Sequence, residues 1–259
     1  MESSLAEFEN KIQDAVQVIK DRHQGVALTG AGISTPSGIP DFRSPGSGLW
    51  ERYHPMEVAS LTAFQRDPEK FYDWIGPLAD KMLSARPNPA HQALAKLEKH
   101  DWIQTVITQN IDTLHQKAGS ENVLEVHGSF ETLSCLGCYR QSRAQEDFVA
   151  KLSEQNSIPR CPACGGILKP DVVLFEEQLP AQTWNKASRA SKRCNFMLVL
   201  GSSLTVTPVS HLPQEALDHG AALIIINQTE TYLDHQARVT IHGDVAQILP
   251  KITKAVLND

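Results

Sequence analysis

A short apolar run followed at once by a small polar loop recurs along this chain, and that unit limits the fold more than any single motif. The runs fall at residues 26–29, 105–108, 123–126, 172–175, 196–200 and 222–226. Runs this short, without polar alternation, suit strands covered on both faces, as parallel strands are when helices flank a sheet. Between them, apolar residues recur at helical spacing: Leu5, Phe8, Ile12, Ala15 or Val16, and Ile19 before the first run, and Ile248, Leu249, Ile252 and Val256 after the last. Ser4 with Glu7 reads as a capping box heading the first helix, and Asn88-Pro89 as the cap and first residue of another. Alternating segments of this kind predict an α/β fold. The expected architecture is a doubly wound, Rossmann-like parallel sheet whose strand-end loops converge on one crevice.

Two segments break the alternation. Residues 44–85 carry Pro, Gly and scattered aromatics without a strand pattern and are expected to form a helical insert. Residues 131–169 hold four of the five cysteines, as Cys135-Leu-Gly-Cys138 and Cys161-Pro-Ala-Cys164. Paired Cys-x-x-Cys knuckles can bring four thiolates onto one tetrahedral zinc, and Pro162 and Gly165-Gly166 supply turn geometry. Redox dithiols or disulfides are the alternatives. A closed four-thiolate site has no position for water, so the zinc is expected to be structural. A helical piece, 146–152, is expected between the knuckles, and Cys194 reads as a buried free thiol. The division is then one domain: residues 1–43, 86–130 and 170–259 as the nucleotide-binding part, 44–85 as the insert and 131–169 as a zinc ribbon.

Composition excludes some classes. A formal charge of −6 argues against general nucleic-acid affinity. Met1-Glu-Ser-Ser-Leu lacks the basic end and apolar core of a secretion signal, and no apolar run is long enough to cross a bilayer. A cytoplasmic protein without membrane contact is expected.

The loops carry the chemistry. After residues 26–29 comes Gly30-Ala-Gly-Ile-Ser34, whose glycines let the backbone turn tightly and approach a ligand. Exposed peptide N–H groups there, ahead of a helix, would suit the diphosphate of a dinucleotide. Gly38-Ile-Pro-Asp-Phe-Arg43 adds a guanidinium to fork onto phosphate and an aromatic to cover a ring. Gln109-Asn-Ile-Asp112 offers amides and a carboxylate for ribose hydroxyls or a carboxamide. His127, at a strand end beside Gly128, is the histidine best placed for general-base work. Gly201-Ser-Ser203, Asn227 and Gly243-Asp-Val245 repeat the pattern. Helix capping is the competing explanation for each loop alone; several such loops at one sheet edge favour a ligand.

Together, and in this order, these motifs, the two knuckles and Thr108-Gln-Asn-Ile-Asp-Thr-Leu-His115 resemble the sirtuins, the NAD-dependent protein-lysine deacylases. The resemblance runs from about residue 26 to 245 and is to the family's catalytic core, without the extensions some members carry. It implies that NAD lies on the Rossmann-like part and that an acyl-lysine enters between that part and the zinc module. The acyl oxygen then attacks C1′ of the nicotinamide ribose, nicotinamide leaves, and the acyl group ends on ADP-ribose. It implies phosphate and ribose contacts from Gly30, Ala31, Gly32, Ser34, Asp41 and Arg43, with Phe42 shielding the ribose. Gln109, Asn110, Ile111 and Asp112 would form the nicotinamide pocket, Asn110 and Asp112 being catalytic with His127 as base. Gly201, Ser202, Ser203, Asn227, Asp244 and Val245 would hold the adenosine half. Val173, Leu174, Phe175 and Glu176 would grip acyl-lysine peptides or proteins as an added strand.

Two departures refine this. The family usually reads Phe-Gly-Glu where this chain has Phe175-Glu-Glu177, which removes a glycine's freedom and adds a carboxylate beside the substrate, with a bias to basic flanking residues expected. Members acting on succinyl or malonyl groups carry Tyr-x-x-Arg in the insert; here the third residue after Tyr72 is Ile75, and no arginine lies between Asp67 and Ala85. Neutral acyl groups, acetyl first, are therefore expected. The rivals are an NAD-consuming ADP-ribosyltransferase or glycohydrolase, a non-enzymatic NAD- or zinc-dependent interaction module, and a hydride-transfer dehydrogenase suggested by the glycine loop alone.

Overall fold

The computed structural model describes residues 2–42, 48–144 and 158–258. Arg43 and the helical piece expected at 146–152 lie outside the described residues. The strands are β1 (Gly25–Thr29), β2 (Ile103–Thr108), β3 (Val123–Glu125), β4 (Gly128–Cys135), β5 (Gln141–Arg143), β6 (Leu168–Val172), β7 (Phe196–Leu200), β8 (Ala222–Asn227) and β9 (Val239–His242). The α-helices are α1 (Glu2–Arg22), α2 (Pro55–Val58), α3 (Leu61–Arg66), α4 (Pro68–Ser84), α5 (Pro89–Lys99), α6 (Leu114–Lys117), α7 (Ala181–Arg193), α8 (Leu212–Asp218) and α9 (Val245–Leu257). Two compact units share them: Met1–Ser37, Arg86–Val126 and Ala181–Asp259 form the first, and Gly38–Ala85 with His127–Pro180 the second. Among the described residues no helix is long and apolar enough to cross a membrane.

The first unit is a six-stranded sheet of order β3-β2-β1-β7-β8-β9, every pairing parallel. The order in which strands are added changes side between β1 and β7, the switch point where open α/β sheets place ligands. β1 and β7 are buried at every residue, which is why Phe196-Met-Leu-Val-Leu200 is uninterruptedly apolar. The apolar stripes of α1 (Ile12, Ile19), α5 (Leu94, Leu97) and α9 (Ile248, Ile252) close one core with Phe196 and Leu198. Phe196 lies so close to Gly25 that a Cβ there would overlap its ring. Truncating Phe196 to Ala is worth about 3–5 kcal/mol of stability, enough to unfold a marginal domain.

Two expectations for this sheet are corrected. Residues 172–175 do not join it: β6 ends at Val172 and pairs antiparallel with β4 in a separate β5-β4-β6 sheet of the second unit. Pro170 sits within β6, and lacking an N–H it is compatible with an edge strand but not with the middle of a sheet. The sixth strand is instead β9, where Val239 and Ile241 are buried and His242 is exposed. That alternation was the available signal, over too few residues to stand out. The first helix also begins at Glu2, so Ser4 lies inside it rather than at its cap.

In the second unit the insert is helical in α2, α3 and α4. Ser60 and Asp67 cap α3 and α4, accepting the N–H groups of Ala63 and Lys70. Phe64, Phe71 and Tyr72 are buried edge-on to one another, and the Tyr72 hydroxyl donates to the Leu168 carbonyl at 2.6 Å. That bond ties the insert to the β4-β6 sheet.

Candidate active site

Three turns of the first unit meet at the C-terminal ends of β1, β2 and β7. A Cβ on Gly30 or Gly32 would stand 2.8 Å from the Gly201 carbonyl oxygen. Gly201 itself has φ +59, and a Cβ there would strike the Ile33 nitrogen. Turn-on-turn packing is thus enough by itself to require glycine at these positions. The expected row of exposed amides before a helix is also corrected. Gly30 N–H donates to Leu200 O at 3.1 Å, Gly32 N–H to Gly201 O at 2.9 Å, and Ile33 and Ser34 N–H to Gly30 O and Ala31 O. The segment continues as short 3-10 turns, Ala31–Ile33 and Thr35–Ser37, which carry no long helix dipole.

Side chains complete the junction. Ser34 Oγ donates to Asp112 Oδ2 at 2.6 Å. Asn110 Nδ2 reaches both Gly30 O and Ser34 Oγ at 3.1 Å. Gln109 Nε2 donates to Ser202 Oγ at 3.0 Å, and its backbone N–H to Thr29 O. Asp112 is buried, and its second oxygen caps α6 through the Leu114 N–H at 2.9 Å. Capping and ligand roles are therefore not exclusive here: Asp112 caps and still sits in the shared polar cluster. Ile111 is half-buried between Asn110 and Asp112.

Behind this cluster lies a buried polar layer. Thr29 Oγ1 donates to Thr108 Oγ1 at 2.8 Å and meets His115 Nε2 at 2.9 Å. The His115 ring lies 4.9 Å from that of His91, which completes a capping box with Asn88. Burial lowers the pKa of His91 to about 4, the Asp112 charge opposing it. Burial, then the neighbouring His91, lowers His115 to about 3. Both rings are neutral at ordinary pH.

Beside Gly32 and Gly201 opens a cleft of about 280 Å³, lined also by Asn227, Asp244 and Val245. Asp244 Oδ1 accepts the Ala246 N–H at 2.8 Å and so caps α9, while Asn227 Nδ2 donates to Thr229 O. Thr35, Pro36, Gln228 and Gly243 also line it. Gly243 belongs to the Gly243-Asp-Val245 motif, while Thr35, Pro36 and Gln228 were given no role from sequence although each adjoins a motif. Ser203 pairs with Thr205 at 3.0 Å and is not among the lining residues.

The second unit holds the remaining candidates. His127 stands half-buried in the turn between β3 and β4, its carbonyl accepting the Val173 N–H at 2.8 Å. Gly128 follows at φ +74, where a Cβ would collide with the Asp171 carbonyl, so glycine is obligatory beside the histidine. Asp41 and Phe42 accept N–H bonds from Leu49 and Trp50 through their carbonyls, and the Phe42 and Trp50 rings are 5.0 Å apart. The amides of residues 173–175 are not an open strand edge. Besides the Val173 bond, Leu174 N–H donates to Glu177 Oε2 and Phe175 N–H to Ala59 O.

Cys135, Cys138, Cys161 and Cys164 place all four sulfurs within 4.8 Å of one another. The separations Cys135–Cys164 and Cys138–Cys161 are 3.5 and 3.8 Å. A tetrahedron with metal–sulfur bonds of about 2.3 Å has edges of about 3.8 Å, so the set fits a metal ion. N–H groups of Cys138 and Gly137 bring Cys135 down to about 6. Cys194 is the buried thiol expected, pushed up to about 12 by burial.

Comparison with known proteins agrees with this geometry. The profile described as the Sir2 family matches residues 30–208. "NAD-dependent protein deacylase 2" of Archaeoglobus fulgidus is 45% identical, covering 96% of this chain and 97% of its own. A structure solved for the mechanism and regulation of Sir2 enzymes is 43% identical at a TM-score of 0.90, over 96% of this chain and 99% of that one. A complex of Sir2 with a p53 peptide and NAD+ is 40% identical at a TM-score of 0.83, over 92% of this chain and 95% of that one. This chain belongs to the Sir2 family.

Proposed function

We infer that this protein is an NAD-dependent protein-lysine deacylase that moves the acyl group from lysine to ADP-ribose and releases nicotinamide. One observation carries the reading: Ser34, Asn110 and Asp112 share a single hydrogen-bonded cluster beside Gly30, at the switch point of a family fold. NAD supplies an electrophilic C1′ with nicotinamide as the leaving group. The chain's own residues bind and orient it. Asn227, Asp244 and Val245 line the cleft for the adenosine half, and Gly32 and Gly201 its floor. Asn110 and Asp112 orient the nicotinamide ribose, the Asp112 carboxylate itself held by Ser34 Oγ and the Leu114 N–H. Gln109 and Ile111 complete that pocket, and Ala31, Ser202, Asp41, Phe42 and Arg43 are the remaining cofactor contacts. His127 takes the proton of the ribose hydroxyl.

Incubation with NAD and an acetyl-lysine peptide should yield free peptide, nicotinamide and O-acetyl-ADP-ribose, identified by mass. Nicotinamide released equally well without peptide would favour a glycohydrolase, and accumulating NADH a dehydrogenase.

Two further properties belong to this reading. The four cysteines hold one structural zinc, since four thiolates leave no position for water. Binding at such sites is worth about 10–16 kcal/mol. Stripping the metal with a strong chelator should therefore melt the β5-β4-β6 sheet, seen as a large fall in the thermal midpoint. An unchanged midpoint after complete metal removal would contradict a structural role. The acyl group is neutral: the Tyr72 hydroxyl is spent on Leu168 and Ile75 is buried, so α4 offers no arginine to a second carboxylate. Acetyl-lysine peptide should turn over at least about tenfold faster than succinyl-lysine peptide, the cost of leaving a charge unpaired. Faster succinyl turnover would refute this.

A further inference from the structure

The turn after β6 is held in an unusual way. Glu176 has φ +75, where an L side chain is strained and glycine is not. Its carboxylate offsets that strain: Oε2 accepts the Thr62 N–H at 2.9 Å. Thr62 lies in the first turn of α3, where amides lack partners within the helix. Bonds from the Thr62 side chain, then from its N–H, hold the Glu176 carboxyl below its ordinary pKa, so it is ionised at neutral pH. Neighbouring bonds run the same way. Phe175 N–H donates to Ala59 O at 2.9 Å, Leu61 N–H donates to Phe175 O at 3.0 Å, and Ser60 bridges Phe175 as a parallel partner. From the other side, Glu177 Oε2 accepts the Leu174 N–H at 2.8 Å and pairs with buried Lys169 Nζ at 2.9 Å. Held between these anchors, Phe175 keeps a ring 38% exposed and edge-on to Trp50.

We propose that Glu176 is a positioning residue, a latch that ties the 174–177 turn to the start of α3 and so fixes Phe175 for the acyl-lysine segment of the substrate. The proposal rests on the deacylase reading. The bond to Thr62 gives this carboxylate a positioning role beside the expected bias to basic flanking residues, since accepting an N–H leaves its charge in place.

Three variants test it, with steady-state kinetics and amide exchange over residues 59–66. Glu176→Ala removes the latch and keeps the strain, Glu176→Gly removes both, and Glu176→Gln keeps an acceptor oxygen. Glu176→Ala should raise KM for acetyl-peptide roughly tenfold, the scale of one lost charge-assisted bond, with kcat and KM for NAD within about twofold. Glu176→Gly should share that rise, and Glu176→Gln should recover most of the loss. Exchange over 59–66 should speed up in the Ala and Gly variants only. Wild-type KM in Glu176→Gly, or equal KM in the Ala and Gln variants, would overturn the latch. Should the wild type show no NAD-dependent turnover, the functional reading fails, yet the exchange comparison still decides whether the latch exists.

Discussion

Replacing His127 with Ala should lower the rate of deacylation by roughly 10²–10⁴-fold, the usual worth of a positioned general base. The loss should be specific to one stage. In the proposed role the base acts on a ribose hydroxyl after nicotinamide has left, so exchange of labelled nicotinamide into NAD in the presence of acyl-peptide should largely survive. Folding should survive too. His127 serves the β4-β6 sheet through its backbone carbonyl, which accepts the Val173 N–H and is untouched by side-chain truncation. The obligatory glycine at 128 keeps that carbonyl in place. Single-turnover product formation alongside exchange separates the two stages. Deacylation at the wild-type rate in His127→Ala would remove the residue from the chemistry.

Acidification should destabilise the first unit well above the pH at which carboxylates titrate. His91 and His115 fold as neutral rings, with pKa values brought down to about 4 and about 3, chiefly by burial. In the unfolded chain both return to about 6.5. The unfolded state therefore binds more protons between about pH 6.5 and 4, and stability falls as pH drops through that window. At pH 5 each histidine contributes a loss on the order of 2 kcal/mol relative to pH 8, about 4 kcal/mol together. Against a total of about 5–15 kcal/mol, this is a large fraction. Urea unfolding of metal-loaded protein, followed at several pH values, measures it. His115→Gln should remove roughly half the slope. Equal stability at pH 5 and 8 would mean the rings are not buried neutral.

How much of this was legible beforehand differs element by element, for physical reasons. Phe196-Met-Leu-Val-Leu200 could be read as a central strand because burial on both faces leaves no polar residue to confuse it. Residues 172–175 look similar in one dimension, yet Pro170 and the antiparallel pairing with β4 take the segment into another sheet. A run of apolar residues reports burial, not which sheet does the burying. Val239-Thr-Ile-His242 was missed because an edge strand shows only two buried side chains. Gly30, Gly32 and Gly201 were marked correctly as special, but the cause is contact between turns far apart in sequence, which no local pattern encodes. The cysteine set could be picked out because knuckle spacing brings four sulfurs together, within 4.8 Å of one another. The cluster of Ser34, Asn110 and Asp112 was assembled by position at strand ends. The His91–His115 pair was not foreseen, since nothing in sequence signals two rings meeting behind a loop. Glu176 was visible as a departure from the family's glycine, while its bond to Thr62 was not.

The proposition beneath all of this is that the acyl oxygen of a modified lysine attacks C1′ of NAD held at the ends of β1, β2 and β7. An isotope settles it most directly. Acetyl-lysine peptide labelled with ¹⁸O in its amide carbonyl, turned over with NAD in ordinary water, should leave the label on the 1′-oxygen of the ADP-ribose product. Label retained in acetyl or released as acetate, with none on ADP-ribose, would contradict that attack and with it the assignment of Asn110, Asp112 and His127.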